Sequence, residues 1–87
     1  MSPSARRIRK SVHSPEHLLL RELMIAARDK AGLTQQKLAR SLGKPQSFVA
    51  KYEGGERRLD VIEFVTVVRA IGGDPVFLLR ILTKRRS

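Results

Sequence analysis

The residues best suited to recognition chemistry lie on one face of a short helix predicted over about residues 45–53. At about 100° per residue, that face carries Gln46, Ser47, Ala50 and Lys51. A glutamine can pair with N6 and N7 of adenine and a lysine with O6 and N7 of guanine, while a small residue leaves room for a thymine methyl group. The pattern is typical of a helix that lies in the major groove of DNA, and an ordinary solvated helix face is the alternative. The opposite face is predicted to pack inward through Phe48, Val49 and Tyr52.

Other chemistries lack the residues that they need. The chain has no cysteine, which excludes a disulfide framework, a thiolate zinc site and a cysteine nucleophile. His13 and His17 have a spacing that could bind a metal within a helix, but Pro15 lies between them at a predicted helix start. Ser, His and Asp are too scattered for a catalytic triad, and no glycine-rich phosphate loop is present. The sequence therefore predicts no enzyme, no metal and no cofactor.

The positive charge of the chain is concentrated in particular segments. Its 87 residues include 18 Lys and Arg against 8 Asp and Glu, a formal net charge of +10. Residues 34–58 and the two ends are basic, whereas the rest of the predicted folded body is close to neutral. A basic segment flanked by basic arms favours a polyanion as the partner, here double-stranded DNA.

No segment is predicted to cross a membrane or direct secretion. No apolar run approaches the ~18–20 residues that a membrane span requires. The basic N-terminus is followed by residues 11–17, which interrupt what would have to be the apolar part of a signal peptide. We therefore expect a cytoplasmic protein.

Helix-start and helix-stop signals divide the chain into five short helices. Starts are predicted at Ser14-Pro15, Thr34, Pro45, the capping box Asp60 with Glu63, and Asp74-Pro75. Glycines at 32, 43, 54–55 and 72–73 end the first four helices, and the fifth extends to about Leu82. With no alternating strand pattern, the predicted fold class is all-α. One domain spans residues 14–83, between a flexible basic arm (1–13) and a basic tail (84–87).

The second and third predicted helices have the outline of a helix-turn-helix. Ala39 allows two helices to cross closely, and Gly43 accepts the positive φ that a tight turn requires. The segment resembles the DNA-binding domains of the phage repressor and Cro-like family, also called XRE-type. The resemblance rests on Leu33-Thr34-Gln35, Leu38-Ala39, Leu42-Gly43 and Tyr52-Glu53-Gly54-Gly55. It covers about residues 18–79 and implies a compact five-helix bundle of the lambda-repressor-like type.

The resemblance also implies roles for individual residues. Gln35 corresponds to a residue that commonly bonds the phosphate backbone, and Gln46, Ser47 and Lys51 lie where the family reads bases. Arg28 and Glu53 match a pair that commonly forms a buried salt bridge. Two departures from the family pattern are Gly54 in place of the usual Asn and Pro45 in place of the usual Ser or Thr cap.

Further basic residues flank the predicted recognition helix. Lys44, Arg57 and Arg58 are expected to hold phosphates, which would position the protein without carrying sequence information. A solvated loop is the alternative for Arg57 and Arg58. The basic run 6–10 of the arm could reach a minor groove or a phosphate, or serve only as a solubilising tail.

The last two predicted helices carry more apolar residues than one small core can cover. One stripe of each helix must close the core, which leaves a second stripe of Ile62, Val65, Phe77, Leu78 and Ile81. Burial of this stripe against a second copy would give a two-fold dimer, with two recognition helices one DNA turn apart on a palindrome. The alternative is that the fifth helix folds back and hides the stripe itself.

These observations predict a sequence-specific DNA-binding transcriptional regulator, a repressor, that acts as a homodimer. Two alternatives stay open. One is an antitoxin whose main partner is a protein such as a toxin or another regulator. The other is an adaptor that keeps the fold without reading sequence.

Overall fold

A computed structural model of the chain describes residues 14–84, which form five α-helices and no strand. Their bounds are Pro15–Lys30 (α1), Gln35–Leu42 (α2), Gln46–Gly54 (α3), Val61–Ile71 (α4) and Pro75–Lys84 (α5). The all-α prediction is confirmed. The basic arm (1–13) and residues 85–87 lie outside the described residues, so the expectations for the arm and for most of the tail have no structural counterpart here.

The helix starts follow from the caps that the sequence contains. The Ser14 hydroxyl accepts from the backbone N–H of His17, and the Thr34 hydroxyl accepts from that of Lys37. Asp60 and Glu63 form the predicted capping box, in which each side chain accepts from the other residue's backbone N–H. Each interaction satisfies a donor that the first turn of a helix would otherwise leave without a partner.

The last helix extends further than predicted. α5 continues to Lys84, a residue assigned to the tail from the sequence, because no glycine or proline after Leu82 interrupts it. No helix in residues 14–84 is long and apolar enough to cross a membrane.

The core lies among the five helices. Its buried side chains come from every helix: Met24, Leu38, Ala39, Phe48, Val49, Tyr52, Phe64, Val67, Val68, Ile71 and Leu78. The predicted inward face of α3 is therefore confirmed. Since α3 packs on α1 and α2 as well, its orientation is set from several sides.

The second apolar stripe divides into exposed and buried parts. Ile62 and Phe77 are 74% and 59% exposed, and Val65 and Ile81 are half-buried against the core. Leu78 is a correction to the predicted interface, because α5 packs on α1 and α4 and encloses this side chain in the core of one copy. Only part of the stripe is thus accessible to a second copy.

Candidate nucleic-acid interface

The turn between α2 and α3 fixes how the two helices cross. Gly43 ends α2 at φ +69°, and its N–H donates to the Arg40 carbonyl oxygen over 3.1 Å. The next N–H, from Lys44, reaches the Ala39 carbonyl oxygen at 3.0 Å. These bonds close α2 within one turn, so that only three residues separate α2 from α3. Buried Ala39 lets the two helices approach closely.

α3 presents the predicted recognition residues to solvent. Gln46, Ser47 and Lys51 are exposed, and Ala50 between them is half-buried. The exposed group combines an amide, a hydroxyl and an ammonium group with no acidic side chain. Such a surface can donate to and accept from the edges of bases without repelling phosphates.

A buried ion pair joins α1 to the end of α3. Arg28 Nε donates to Glu53 Oε2 at 2.7 Å, and Nη2 donates to Oε1 at 2.9 Å. The two side chains are only 12% and 5% exposed. Arg28 Nη1 also donates to the Leu33 carbonyl oxygen, over 2.9 Å. The hydrogen bond to Glu53 raises the pKa of Arg28, so the guanidinium stays charged.

The same carboxylate orients the side chains of Gln35 and Gln46. Gln35 Nε2 donates to Glu53 Oε1 at 2.8 Å, and Gln46 Nε2 donates to Gln35 Oε1 at 3.3 Å. Since an ionised carboxylate only accepts, the amide nitrogen of Gln35 must face Glu53 and its oxygen must face Gln46. This chain of bonds leaves Gln46 with its carbonyl oxygen and one N–H for a ligand.

A second ion pair joins the link between α3 and α4 to the start of α4. Arg57 donates to both carboxylate oxygens of Glu63, at 3.0 and 2.8 Å, and its Cζ lies 4.8 Å from the ring centroid of Phe48. The Lys44 ammonium lies 5.5 Å from the same centroid. Glu63 raises the pKa of Arg57. In return, Arg57 and the Asp60 backbone N–H lower the pKa of Glu63 to about 2.

The remaining predicted phosphate ligands differ in exposure. Lys44 and Arg58 are exposed, whereas Gln35 is half-buried and forms hydrogen bonds with Glu53 and Gln46. The structure brings Lys44 and Arg57 to the same aromatic ring, that of Phe48. Arg57 keeps 38% of its side chain exposed, but both of its Nη atoms donate to the Glu63 carboxylate.

Tyr52 contributes packing rather than a polar contact. Its ring meets Phe48 edge to face, with centroids 5.6 Å apart. Its hydroxyl is buried and has no hydrogen-bond partner among the described residues, and burial raises the pKa of Tyr52 above its usual range.

Residues 14–84 contain no group of three or more His, Cys, Asp or Glu side chains that could hold a metal ion. His17 is buried in the first turn of α1, and His13 lies outside the described residues.

Two contributors to this surface were not identified from the sequence. Glu63 was predicted as a cap but not as the partner of Arg57. Arg21, whose Nε donates to the Glu53 carbonyl oxygen at 3.1 Å, was not singled out. Both contacts cross between elements, and no periodic signal connects the residues involved.

Comparison with known proteins agrees with this geometry. The family model described as helix-turn-helix matches residues 24–78. A solved structure, described as an XRE-family like protein from Pseudomonas syringae pv. tomato str. DC3000, shares 49% sequence identity with the chain. The match has a TM-score of 0.82 and covers 87% of this chain and 93% of that one. No curated protein matches. The chain belongs to the XRE-type helix-turn-helix family.

Proposed function

We propose that this protein is a sequence-specific DNA-binding transcription regulator, a repressor, that inserts α3 into the major groove as a homodimer on a palindromic site. Membership of the XRE-type helix-turn-helix family supports DNA binding and regulation of transcription. The observation that carries the sequence-specific part is the hydrogen-bonded chain from Glu53 through Gln35 to Gln46, which orients an exposed amide on α3.

In this proposal, three side chains on α3 contact the bases. Gln46 offers the acceptor and donor pair that matches N6 and N7 of adenine, and its rotamer is already restricted by Gln35. Lys51 suits O6 and N7 of guanine, and Ser47 can donate or accept. A side chain held in place before binding loses less conformational entropy when it pairs with a base.

The residues that flank α3 contact the phosphates. Lys44 lies in the turn before it and Arg58 in the link after it, and both are exposed. Gln35 keeps one amide hydrogen for a phosphate at the N-terminus of α2, where the helix dipole favours an anion. These contacts set the register of α3 in the groove.

The exposed apolar surface supports the homodimer. Phe77 borders a cavity of about 240 Å³ between α1 and α5, whose lining also includes Leu23, Ala27 and Ile81. Ile62 is exposed on α4. Apolar surface of this kind commonly marks a site of protein association.

Selection of binding sites from a random duplex library tests the proposal with the full-length chain at physiological salt. We expect a two-fold-symmetric motif with half-sites about one helical turn apart. Enrichment of a single half-site would contradict the dimer, and binding without enrichment would contradict sequence reading.

Lys51→Ala tests the recognition face on the selected site. We expect the variant to lose about 1–3 kcal/mol of binding free energy and to relax its preference at one base pair. Arg69→Ala is the control, because Arg69 is an exposed cation at the far end of α4. Unchanged affinity and selectivity of Lys51→Ala would show that the assigned face is wrong.

A further inference from the structure

Arg57 has the sequence position of a phosphate ligand, but both of its Nη atoms form hydrogen bonds with other residues of the same chain. Its Nη1 and Nη2 donate to the two carboxylate oxygens of Glu63, in a parallel pair of bonds at 3.0 and 2.8 Å. Nη1 also donates to the Arg58 carbonyl oxygen over 3.0 Å. Opposite charges in this pair cancel, so a nearby phosphate meets little net attraction from it.

Glu63 is itself fixed and cannot follow Arg57 towards DNA. Its Oε1 accepts from the Asp60 backbone N–H at 3.0 Å, while its own N–H donates to Asp60 Oδ1 at 2.7 Å. Movement of the carboxylate would break the capping box that starts α4. The arginine is therefore anchored to the first turn of a helix that forms part of the core.

The other contact of Arg57 is with the recognition helix. Its Cζ lies 4.8 Å from the ring centroid of Phe48, which is buried in the first turn of α3 immediately after Gln46 and Ser47. A guanidinium over an aromatic face is attracted by the negative charge of that face. The stack and the ion pair together connect the first turn of α3 to the first turn of α4.

We propose that Arg57 is a positioning residue for base recognition and not a phosphate ligand. Through Glu63 and Phe48 it holds the first turn of α3 at the angle that Gln46 and Ser47 need in the groove. This inference rests on the proposed DNA-binding function. It assigns the phosphate contacts near the link to Lys44 and Arg58.

The salt dependence of binding separates the two roles. A residue that neutralises one phosphate contributes about 0.9 to the slope of log K against log salt concentration. We expect Arg57→Ala to leave that slope unchanged on the selected site, and Lys44→Ala to reduce it. Lys44 is the matched control, because it is a cation on the same aromatic ring. A slope reduced by about 0.9 in Arg57→Ala would overturn the proposal.

Base discrimination separates positioning from simple stabilisation. The readout is the ratio of affinities for the selected site and for a site changed at the base pair that Gln46 reads. We expect Arg57→Ala to lower this ratio by about tenfold, within the range that one bidentate contact contributes. If Arg57 only stabilised the fold, Arg57→Ala would lower the melting temperature and leave the ratio of affinities unchanged.

Two milder variants keep the test independent of folding. Arg57→Lys retains the charge but not the planar fork, and Glu63→Gln retains the cap geometry but removes the ion pair. We expect both to lose discrimination as Arg57→Ala does. If Arg57 instead bound phosphate, Arg57→Lys would keep the discrimination and the slope. Glu63→Gln would then bind more tightly with its discrimination intact.

The wild-type chain separates this proposal from the one on which it rests. Equal affinity of the wild-type chain for all duplexes would contradict sequence-specific function. Selective binding by the wild-type chain, with a slope loss in Arg57→Ala, would contradict only the role of Arg57.

Discussion

Several hydrogen bonds of the recognition surface meet at the carboxylate of Glu53. It accepts from Arg28 Nε and Nη2 and from Gln35 Nε2, and it is almost completely buried. Removal of Arg28 would leave this charge in the interior with only a neutral amide as a partner. We expect Arg28→Met to lower the free energy of unfolding by about 3–5 kcal/mol, measured by urea denaturation.

A double variant provides the control for that prediction. Arg28→Met with Glu53→Leu removes both charges and fills similar space, so it leaves no charge unpaired. We expect it to be more stable than Arg28→Met alone, although the orientation of Gln35 and Gln46 is lost with Glu53. A double variant less stable than the single one would show that the penalty does not come from the unpaired carboxylate.

Individual contacts were predictable where they depend on periodicity or on a motif. The helical period placed Phe48, Val49 and Tyr52 in the core, and the resemblance to known repressors implied a pair between Arg28 and Glu53. The bonds from Glu53 through Gln35 to Gln46 depend on how three helices pack, which no local pattern encodes. For the same reason, the ion pair of Arg57 with Glu63 was not predicted, since the two residues lie on different elements.

At the scale of the elements, the end of α3 is more constrained than the end of α2. Gly43 and Gly55 both have positive φ, at +69° and +84°. A Cβ at Gly43 would meet open space, whereas one at Gly55 would lie 2.8 Å from Arg21 Nη1. Arg21 cannot simply move away, because its Nε donates to the Glu53 carbonyl oxygen.

Alanine substitutions at the two glycines should therefore differ in cost. We expect Gly43→Ala to lose roughly 1–2 kcal/mol of unfolding free energy, the ordinary cost of left-handed backbone. Gly55→Ala should lose about 1 kcal/mol more, since it also disturbs the Arg21 hydrogen bond. Denaturation of both variants under the same conditions measures the difference. Equal losses would show that Arg21 does not constrain this turn.

The stability that the ion pair contributes at the start of α4 should fall in acid. Arg57 and the Asp60 backbone hold the pKa of Glu63 at about 2, below the ordinary value of 4.5. A carboxyl group with a lowered folded-state pKa contributes stability that is complete above its unfolded pKa. That contribution declines as pH falls from about 4.5 towards 2.

Comparison with Glu63→Gln isolates this contribution. We expect the difference in unfolding free energy between wild type and Glu63→Gln to be constant near neutral pH and to shrink between about pH 4.5 and 2. Thermal denaturation across that range measures it. A difference that stayed constant down to pH 2 would show that Glu63 titrates no differently in the folded and unfolded chain.

The helices themselves were the most predictable feature, because their boundaries are encoded locally. Ser14, Thr34 and Asp60 act as caps where predicted, and Gly43, Gly55 and Gly72 end helices in the left-handed conformation. The end of α5 was less predictable, since no stop signal is present near Leu82. Leu78 was assigned to the wrong surface because a helix with apolar residues on most sides does not show which side faces the core.

At the scale of the whole molecule, the recognition surface and the exposed apolar surface of α5 lie on different helices. The recognition residues belong to α2, α3 and the link that follows, whereas Val76, Phe77 and Leu79 are exposed on α5. Separate surfaces allow one copy to hold a second copy and DNA at the same time. A two-fold dimer through α5 would hold both recognition helices at a fixed spacing, which is what a palindromic site requires.

Phe77 tests this arrangement, because it is exposed and borders the apolar cavity between α1 and α5. We expect the wild-type chain to sediment as a dimer and Phe77→Glu as a monomer, since a charge would have to be buried at the interface. The free energy of unfolding of the Phe77→Glu monomer should change little, because Phe77 is only partly buried within one copy.

Leu18→Glu is the control, placing the same charge at an exposed apolar residue outside the proposed interface. The monomeric variant should lose affinity for the full palindrome but bind a single half-site as the wild type does. Sedimentation of Phe77→Glu as a dimer would show that α5 is not the contact surface, and the exposed Ile62 on α4 would be the next surface to test.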